Sequence, residues 1–146
     1  MLLLNGRPAE FTECVVTDQA GAEKQRHLLV VDDNPELAET YRDLFLAHDY
    51  QISVAANGVQ ALKFILNNPV DAVLCDLSMP QLEGDMFHLT VQRVRPELAR
   101  RFVFVTGNAG NPRFEEFLQN VGCPVLYKPV SVDRLLEALS GLFGPS

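Results

Sequence analysis

The sequence predicts an α/β protein in which five short strands alternate with five helices to form a doubly wound parallel sheet. Short, unbroken apolar runs recur along the chain, and such runs are typical of strands that are buried on both faces. Segments between them have apolar residues at helical spacing. This alternation favours right-handed crossovers with helices on both faces of the sheet. At 146 residues the chain is long enough to form one domain with a substantial core.

The first two strand–helix units are predicted from apolar runs and capping signals. Residues 28–31 form the first strand, and Asn34 followed by Pro35 predicts the start of a helix, because asparagine caps helices and proline fits the first turn. Tyr41 belongs to the apolar stripe of that helix. Residues 52–55 form the second strand, and the helix after it stops at residues 67–69.

The other three units follow the same pattern, with strands at residues 72–75, 102–105 and 125–127. The helices after them are predicted to follow Gly84, Asn111 and Ser131, and the first of the three ends before Pro96. Cys75 and Cys123 are expected to pack as small apolar residues, and the three histidines are interpreted as structural or surface residues.

Composition narrows the function classes. A formal net charge of −7 argues against direct DNA or RNA binding, which needs a basic surface. Three well-separated cysteines suggest neither a zinc site nor a disulfide framework. The apolar run at residues 1–4 is too short for a signal peptide or a membrane segment, so a cytoplasmic protein is predicted.

The chain outside the five units is short. Residues 1–26 are interpreted as an N-terminal extension or linker, residues 27–143 as the domain and residues 144–146 as a tail. One strand could form at residues 11–16. A disordered leader, an extra edge strand and the end of a preceding domain all remain open for the extension.

Polar side chains are concentrated where the predicted strands end. Asp32 and Asp33 follow the first strand, Asp76 the third, Thr106 the fourth and Lys128 the fifth. The carboxyl ends of parallel strands share one edge of the sheet, which is where ligands bind in open α/β sheets. Each residue also has a purely structural explanation, as a turn, a helix cap or a solvated charge. Their joint occurrence at one edge favours a functional site.

The predicted carboxylate cluster requires a counter-charge. Two carboxylates about 4 Å apart repel by roughly 4 kcal/mol at an intermediate dielectric. Magnesium suits carboxylate oxygens and water, and it commonly bridges to phosphate. Lys128 and Thr106 would contact the remaining phosphoryl oxygens. The sequence therefore predicts magnesium-dependent phosphoryl transfer onto Asp76, because a carboxylate beside a metal can form an acyl phosphate.

Residues 27–143 closely resemble the receiver domain of two-component response regulators. The resemblance rests on an ordered set of motifs, namely Val31 to Asn34, Asp76 with Met79 and Pro80, Gly84, Thr106 with Gly107, and Lys128 with Pro129. It implies a flavodoxin-like fold with strand order 2-1-3-4-5.

The resemblance also implies roles for individual residues. Asp76 matches the phosphoacceptor, and Asp33, Asp76 and the backbone carbonyl of Ser78 match the magnesium ligands. Asp32 matches an acidic residue that acts through metal-bound water. Thr106 matches the switch hydroxyl, and Lys128 matches the phosphate-contacting lysine, which is usually followed by a cis bond to proline.

One position departs from the family pattern. Receivers often carry an aromatic switch residue three positions before the lysine, where this chain has Val125; its aromatic residue is Tyr127. An inward rotation of an aromatic ring coupled to Thr106 is therefore not expected. Gly107 fits the small residue that leaves the phosphoryl group accessible.

The implied partners are a histidine kinase or histidine phosphotransfer domain and a downstream protein target, with homodimerisation left open. A free-standing regulator and the receiver of a hybrid histidine kinase are both consistent with the sequence. The alternative is a magnesium-dependent phosphatase of haloacid-dehalogenase type. That class needs a second aspartate two positions after the nucleophile, where this chain has Ser78. Nucleotide or flavin binding is disfavoured because no GxGxxG follows the first strand.

Overall fold

The computed structural model describes residues 25–77, 82–107 and 112–143. Their five strands form one sheet in the order β2-β1-β3-β4-β5, and all four neighbouring pairs are parallel. The strands are β1 (His27–Val31), β2 (Gln51–Ala55), β3 (Ala72–Asp76), β4 (Phe102–Thr106) and β5 (Val125–Tyr127). The predicted sheet and strand order are confirmed.

Six helices accompany these strands in the described residues, five of them between strands and one after β5. They are α1 (Pro35–Leu46), α2 (Gly58–Asn67), α3 (Gly84–Val94), α4 (Pro96–Ala99), α5 (Pro112–Asn120) and α6 (Val132–Leu142). The sequence analysis predicted five helices and missed α4. This helix is a single turn that begins at Pro96, directly after α3. None of these helices is long and apolar enough to cross a membrane.

The predicted capping residues act as expected where the structure describes them. The Asn34 side chain accepts the N–H groups of Glu36 and Leu37 at the start of α1. Ser131 accepts the N–H of Arg134 at the start of α6. Asn57, which was not among the predicted caps, accepts the N–H of Gln60 at the start of α2. The predicted cap at Asn111 and the predicted strand at 11–16 lie outside the described residues.

The core lies on both faces of the sheet, which explains the continuous apolar runs. Every residue of β3 and β4 is buried. Alternate side chains point to opposite faces. One face packs against α2, α3 and α5, and its largest buried side chains are Phe87, Phe102 and Phe104. The other packs against α1 and α6, with Phe45, Leu135 and Leu139 at its centre.

At the amino-terminal edge of the sheet, the guanidinium groups of two arginines lie over one aromatic ring. Arg26 precedes β1, and its guanidinium carbon lies 3.7 Å from the ring centroid of Phe143. Arg101 precedes β4 and lies 5.1 Å from the same centroid. Cation–π contacts of this kind fasten the end of α6 to the sheet.

His88 is a structural residue, as predicted, and it is buried between α3 and the sheet. It is 6% exposed, and its Nε2 donates to the carbonyl of Ala99 at 2.8 Å. Its ring meets those of Phe102, Phe104 and Phe117 edge-on, at centroid distances of 4.8, 5.5 and 5.7 Å. The imidazole therefore ties α3 to α4 through one hydrogen bond in an apolar setting.

Acidification is expected to lower the free energy of unfolding through His88. Burial lowers the pKa of His88 in the folded state, and the hydrogen bond to Ala99 only partly opposes this. The unfolded chain therefore binds more protons once the pH falls below about 6.5, and stability is lost from that point downward. Urea unfolding between about pH 8 and about pH 5 measures this loss.

The His88→Gln variant provides the test, because it keeps a donor for Ala99 but does not titrate. We expect it to show a smaller loss of stability on acidification than the wild type. His48→Gln is the control, since His48 is exposed, and it should retain the wild-type dependence. Equal pH dependence in the wild type and in His88→Gln would contradict this role.

Candidate functional site

The candidate site lies at the carboxyl edge of the sheet. Asp76 is the last residue of β3 and Thr106 the last of β4. Asp32 follows β1, and Lys128 follows β5. Asp32, Asp76 and Thr106 are 4%, 8% and 1% exposed, so three polar side chains are buried at one edge. Burial of this kind requires compensating charge or hydrogen bonds.

Three carboxylates meet at this edge. Carboxylate oxygens of Asp32, Asp33 and Asp76 all lie within 4.8 Å of one another, and Asp33 is the exposed member. Oxygen ligands in this number suit a hard divalent cation that retains several waters. The donor set therefore fits a metal ion, with Asp33 on the side that is open to solvent.

Lys128 is the cation of the cluster. Its Nζ lies 3.6 Å from Oδ2 of Asp76 and 3.9 Å from Oδ2 of Asp32. Its backbone N–H donates to the carbonyl of Thr106 at 2.9 Å, which continues the β4–β5 pairing beyond the strand. The peptide bond from Lys128 to Pro129 is cis, as the resemblance implied.

Hydrogen bonds orient Asp32. Its Oδ1 accepts the N–H of Asn34 at 2.9 Å, while its own N–H donates to the carbonyl of Ala55 at 3.1 Å. Burial raises the pKa of Asp32. The bond from Asn34 and the charge of Lys128 oppose that rise, and the neighbouring charge of Asp33 adds to it.

The negative charge of the cluster raises the pKa of two neighbouring side chains. Burial raises the pKa of Tyr41 to about 12, with contributions from Asp32 and Asp76. Burial also raises the pKa of the Cys75 thiol well above its usual range, and Asp76 and Asp32 raise it further. Both groups are therefore neutral at physiological pH. Cys75 packs as an apolar residue, as predicted, rather than serving as a nucleophile.

Gly84 holds the start of α3 against the end of β3. A Cβ at this position would lie 2.9 Å from the carbonyl oxygen of Asp76 and 2.9 Å from Cα of Leu77. The Gly84 N–H donates to the carbonyl of Leu77 at 3.0 Å. Only glycine permits this approach, so the residue fixes the backbone that carries Asp76.

Gly107 lies in a much more open environment. Of the atoms in the described residues, a Cβ there would have only Cδ of Lys128 within 4 Å, at 3.9 Å. Among the described residues, no backbone atom outside the immediate chain neighbours of Gly107 therefore lies close to that position. This is the small residue that the sequence placed beside the phosphoryl site.

The structure brings together most of the predicted site residues. Asp32, Asp33, Asp76 and Lys128 form one cluster, and Thr106 is buried on the same edge. Ser78 lies outside the described residues.

Sequence reasoning missed two features of the site. Tyr41 was predicted only as an apolar position of α1, although it lies within the field of the cluster. The strand register pairs Tyr127 directly with Thr106, which no local pattern could show. The position of Tyr127 immediately before Lys128 was the only available signal.

Comparison with known proteins identifies the family. The family model described as response regulator receiver domain matches residues 28–140. The chain belongs to the response regulator receiver domain family. The phosphatase alternative receives no support from any of these comparisons.

Individual relatives give the same result. The chain is 36% identical to the sensor histidine kinase RcsC of Salmonella typhi over 77% of this chain and 12% of that protein. It is 31% identical to the sensor histidine kinase TmoS of Ectopseudomonas mendocina over 92% of this chain and 14% of that protein. This receiver domain thus spans about an eighth of the length of these two curated relatives.

A solved structure extends the similarity to the fold. A CheY-like response regulator receiver domain protein from Methanospirillum hungatei superposes with a TM-score of 0.74 at 25% sequence identity. The match covers 80% of this chain and 92% of that one. The flavodoxin-like fold with strand order 2-1-3-4-5 is thereby shown.

Substitution of Gly84 by alanine is expected to destabilise the protein by about 1–3 kcal/mol, because the new Cβ would collide with backbone atoms. Gly141→Ala is the matched control, since no atom of the described residues lies within 4 Å of a Cβ there and the residue is in α6. It should stabilise the helix by about 0.5–1 kcal/mol. Urea unfolding measures both, and a Gly84→Ala variant as stable as the wild type would refute the close approach.

Proposed function

We propose that this receiver domain accepts a phosphoryl group onto Asp76 from a histidine kinase or a histidine phosphotransfer domain, with magnesium, and thereby changes its protein contacts. The observation that carries the proposal is the cluster of three carboxylates within 4.8 Å, with the ammonium of Lys128 at 3.6 Å from Asp76. A site built only for stability would not concentrate like charges in this way.

The proposed ligands of magnesium are Asp33, Asp76 and the backbone carbonyl of Ser78, with Asp32 acting through a bound water. Bound magnesium would offset the carboxylate charges and draw in the phosphoryl oxygens. The donor set supports this assignment, because its oxygens are hard ligands and one of the three carboxylates is exposed. The bond from Asn34 holds Asp32 in position to orient a water.

In the proposed transfer, an oxygen of Asp76 attacks phosphorus while the bond from phosphorus to the imidazole nitrogen of the donor breaks. The imidazole keeps the bonding electron pair and takes up a proton. Lys128 lies within an ion-pair distance of Asp76 and provides positive charge for the phosphoryl oxygens. Within the described residues, a Cβ at Gly107 would meet only the Lys128 side chain, which supports Gly107 as the small residue beside the phosphoryl group.

The proposed conformational switch is driven by the negative charge that phosphorylation adds. A phosphoryl group adds about −1.5 to −2 charge and three acceptor oxygens. Thr106 is buried at the end of β4, and its carbonyl accepts the backbone N–H of Lys128. A move of the Thr106 hydroxyl toward the phosphoryl group would therefore also shift the end of β5. The equilibrium between two arrangements of this region then shifts.

The relatives suggest the setting in which the domain acts. The two relatives described above are named sensor histidine kinases, which supports a histidine kinase as the source of the phosphoryl group. The similarity to TmoS covers 92% of the chain and therefore extends beyond the segment 28–140. This favours a hybrid kinase as the setting, with a free-standing regulator as the alternative. A cytoplasmic location, a downstream protein target and the absence of direct DNA contact remain part of the proposal.

Phosphorylation by acetyl phosphate with magnesium is expected at a single acid-stable, base-labile site. The Asp76→Asn variant should take up no label, because an amide cannot form the acyl phosphate. Asp43→Asn is the matched control, since Asp43 is exposed on α1, and it should label like the wild type. Intact-mass spectrometry provides the readout, and label on Asp76→Asn would refute the phosphoacceptor assignment.

Magnesium affinity is expected to respond in opposite directions to two substitutions. Asp33→Asn should weaken binding by about tenfold or more, because unit charges about 4 Å apart interact by between ~1 kcal/mol in water and ~4 kcal/mol near a protein surface. Lys128→Met should tighten binding, because it removes a cation from the carboxylates, yet it should slow phosphorylation. Isothermal titration calorimetry measures affinity, and weaker binding by Lys128→Met would contradict the charge balance.

A further inference from the structure

The turn between β2 and α2, which comprises residues 55–58, contacts the backbone on two sides of the carboxylate cluster. On one side, the carbonyl of Ala55 accepts the backbone N–H of Asp32 at 3.1 Å. On the other side, Gly58 is buried and lies against Leu82, which is close to the start of α3. This β2–α2 turn therefore lies between two parts of the backbone that hold the cluster.

Gly58 has no room for a side chain. A Cβ at this position would lie 2.5 Å from the carbonyl oxygen of Leu82, 2.9 Å from its Cβ and 3.1 Å from its Cγ. Non-bonded carbon atoms pack at about 3.5–4.0 Å, so an added methyl group would displace Leu82 by roughly 1 Å. The closest of these atoms belongs to the backbone, and rotation of the leucine side chain would not relieve the contact.

Hydrogen bonds hold the start of α2 in place behind Gly58. Oδ1 of Asn57 accepts the N–H of Gln60 at 2.9 Å, and Oε1 of Gln60 accepts the N–H of Ala56 at 3.0 Å. A reciprocal pair of bonds of this kind fixes the first turn of a helix. A methyl group at this position would therefore push Leu82 away rather than move α2.

A shift of Leu82 would reach Asp76 through Gly84. Leu82 is two residues before Gly84, which begins α3 and whose N–H donates to the carbonyl of Leu77 at 3.0 Å. The same glycine lies so close to β3 that a Cβ on it would be 2.9 Å from the carbonyl oxygen of Asp76. Close-packed atoms transmit a displacement, because there is little free volume to absorb it.

We infer that Gly58 is a positioning residue, which keeps Asp76 at the separation from Asp32 that magnesium binding and phosphoryl transfer require. The inference rests on the proposed function, because it concerns the same reaction. A displacement of about 1 Å can slow a reaction by about a hundredfold. Leu82 and Gly84 pass on only part of the shift, so the expected decrease in the phosphorylation rate is about tenfold.

The test is the Gly58→Ala variant of the full-length protein, labelled with acetyl phosphate and magnesium at a temperature at which circular dichroism shows it to be folded. We expect the maximal labelling rate to fall about tenfold and the magnesium affinity, measured by calorimetry, to fall about tenfold. Heteronuclear NMR of the metal-free variant should show a shifted Gly84 amide. Gly141→Ala adds the same methyl group to α6 and should behave like the wild type in all three measurements.

Two outcomes of this experiment are distinguishable. A folded Gly58→Ala variant with the wild-type labelling rate and magnesium affinity would overturn the positioning role and leave the proposed function intact. Failure of the wild type to take up label at Asp76 would refute the proposed function, and the inference with it. A role of Gly58 in stability alone would lower the free energy of unfolding but change neither quantity in the folded protein.

A pair of leucine variants tests the same contact from its other side, and it decides the question if Gly58→Ala does not fold. Leu82→Ala removes the side-chain atoms beyond Cβ, including the Cγ that lies near Gly58. Leu136→Ala removes the same atoms from another partly buried leucine, on α6. We expect Leu82→Ala to label more slowly than Leu136→Ala, and equal rates in the two variants would overturn the inference.

Discussion

Electrostatic repulsion among three aspartates is the constraint on which the rest of the structure depends. Asp32, Asp33 and Asp76 hold oxygens within 4.8 Å of one another, and two of these residues are buried. The parallel sheet causes this repulsion, because the carboxyl ends of its strands lie at one edge. The same arrangement also brings the groups that offset the negative charge to that edge. Lys128 reaches the cluster from the end of β5, and Asn34 donates to Asp32 from the start of α1.

The residues around the cluster make it rigid and chemically selective. Gly84 brings the backbone of α3 against that of β3, so the phosphoacceptor candidate has little freedom to move away. Burial and the negative field keep Tyr41 and Cys75 neutral. The aspartates are therefore the only anions among these neighbours, and positive charge is attracted to a single place. Such preorganisation lets a site act on charge without reorganising itself.

The sequence was sufficient for everything that depends on local pattern. Buried strands are continuous apolar runs, and Asn34 and Ser131 are strong capping residues, so the elements, their order and the residues at the strand ends could be predicted. The one-turn helix α4 was not predicted, because a proline such as Pro96 can mark the end of one helix as well as the start of the next. The specific contacts of His88 and Gly84 could not be predicted, for a different reason. Each depends on contacts with another element, Ala99 for one and Asp76 for the other, and no spacing along the chain encodes these.

The contact of Arg26 and Arg101 with the ring of Phe143 places both ends of the described domain at the amino-terminal edge of the sheet. Arg26 and Phe143, which lie at or next to the two ends of the described residues, are therefore at the end of the sheet opposite the aspartates. A covalently attached neighbour therefore does not have to cover the acidic crevice. The points at which a neighbouring domain could be attached thus lie at the end of the sheet opposite the carboxylate cluster.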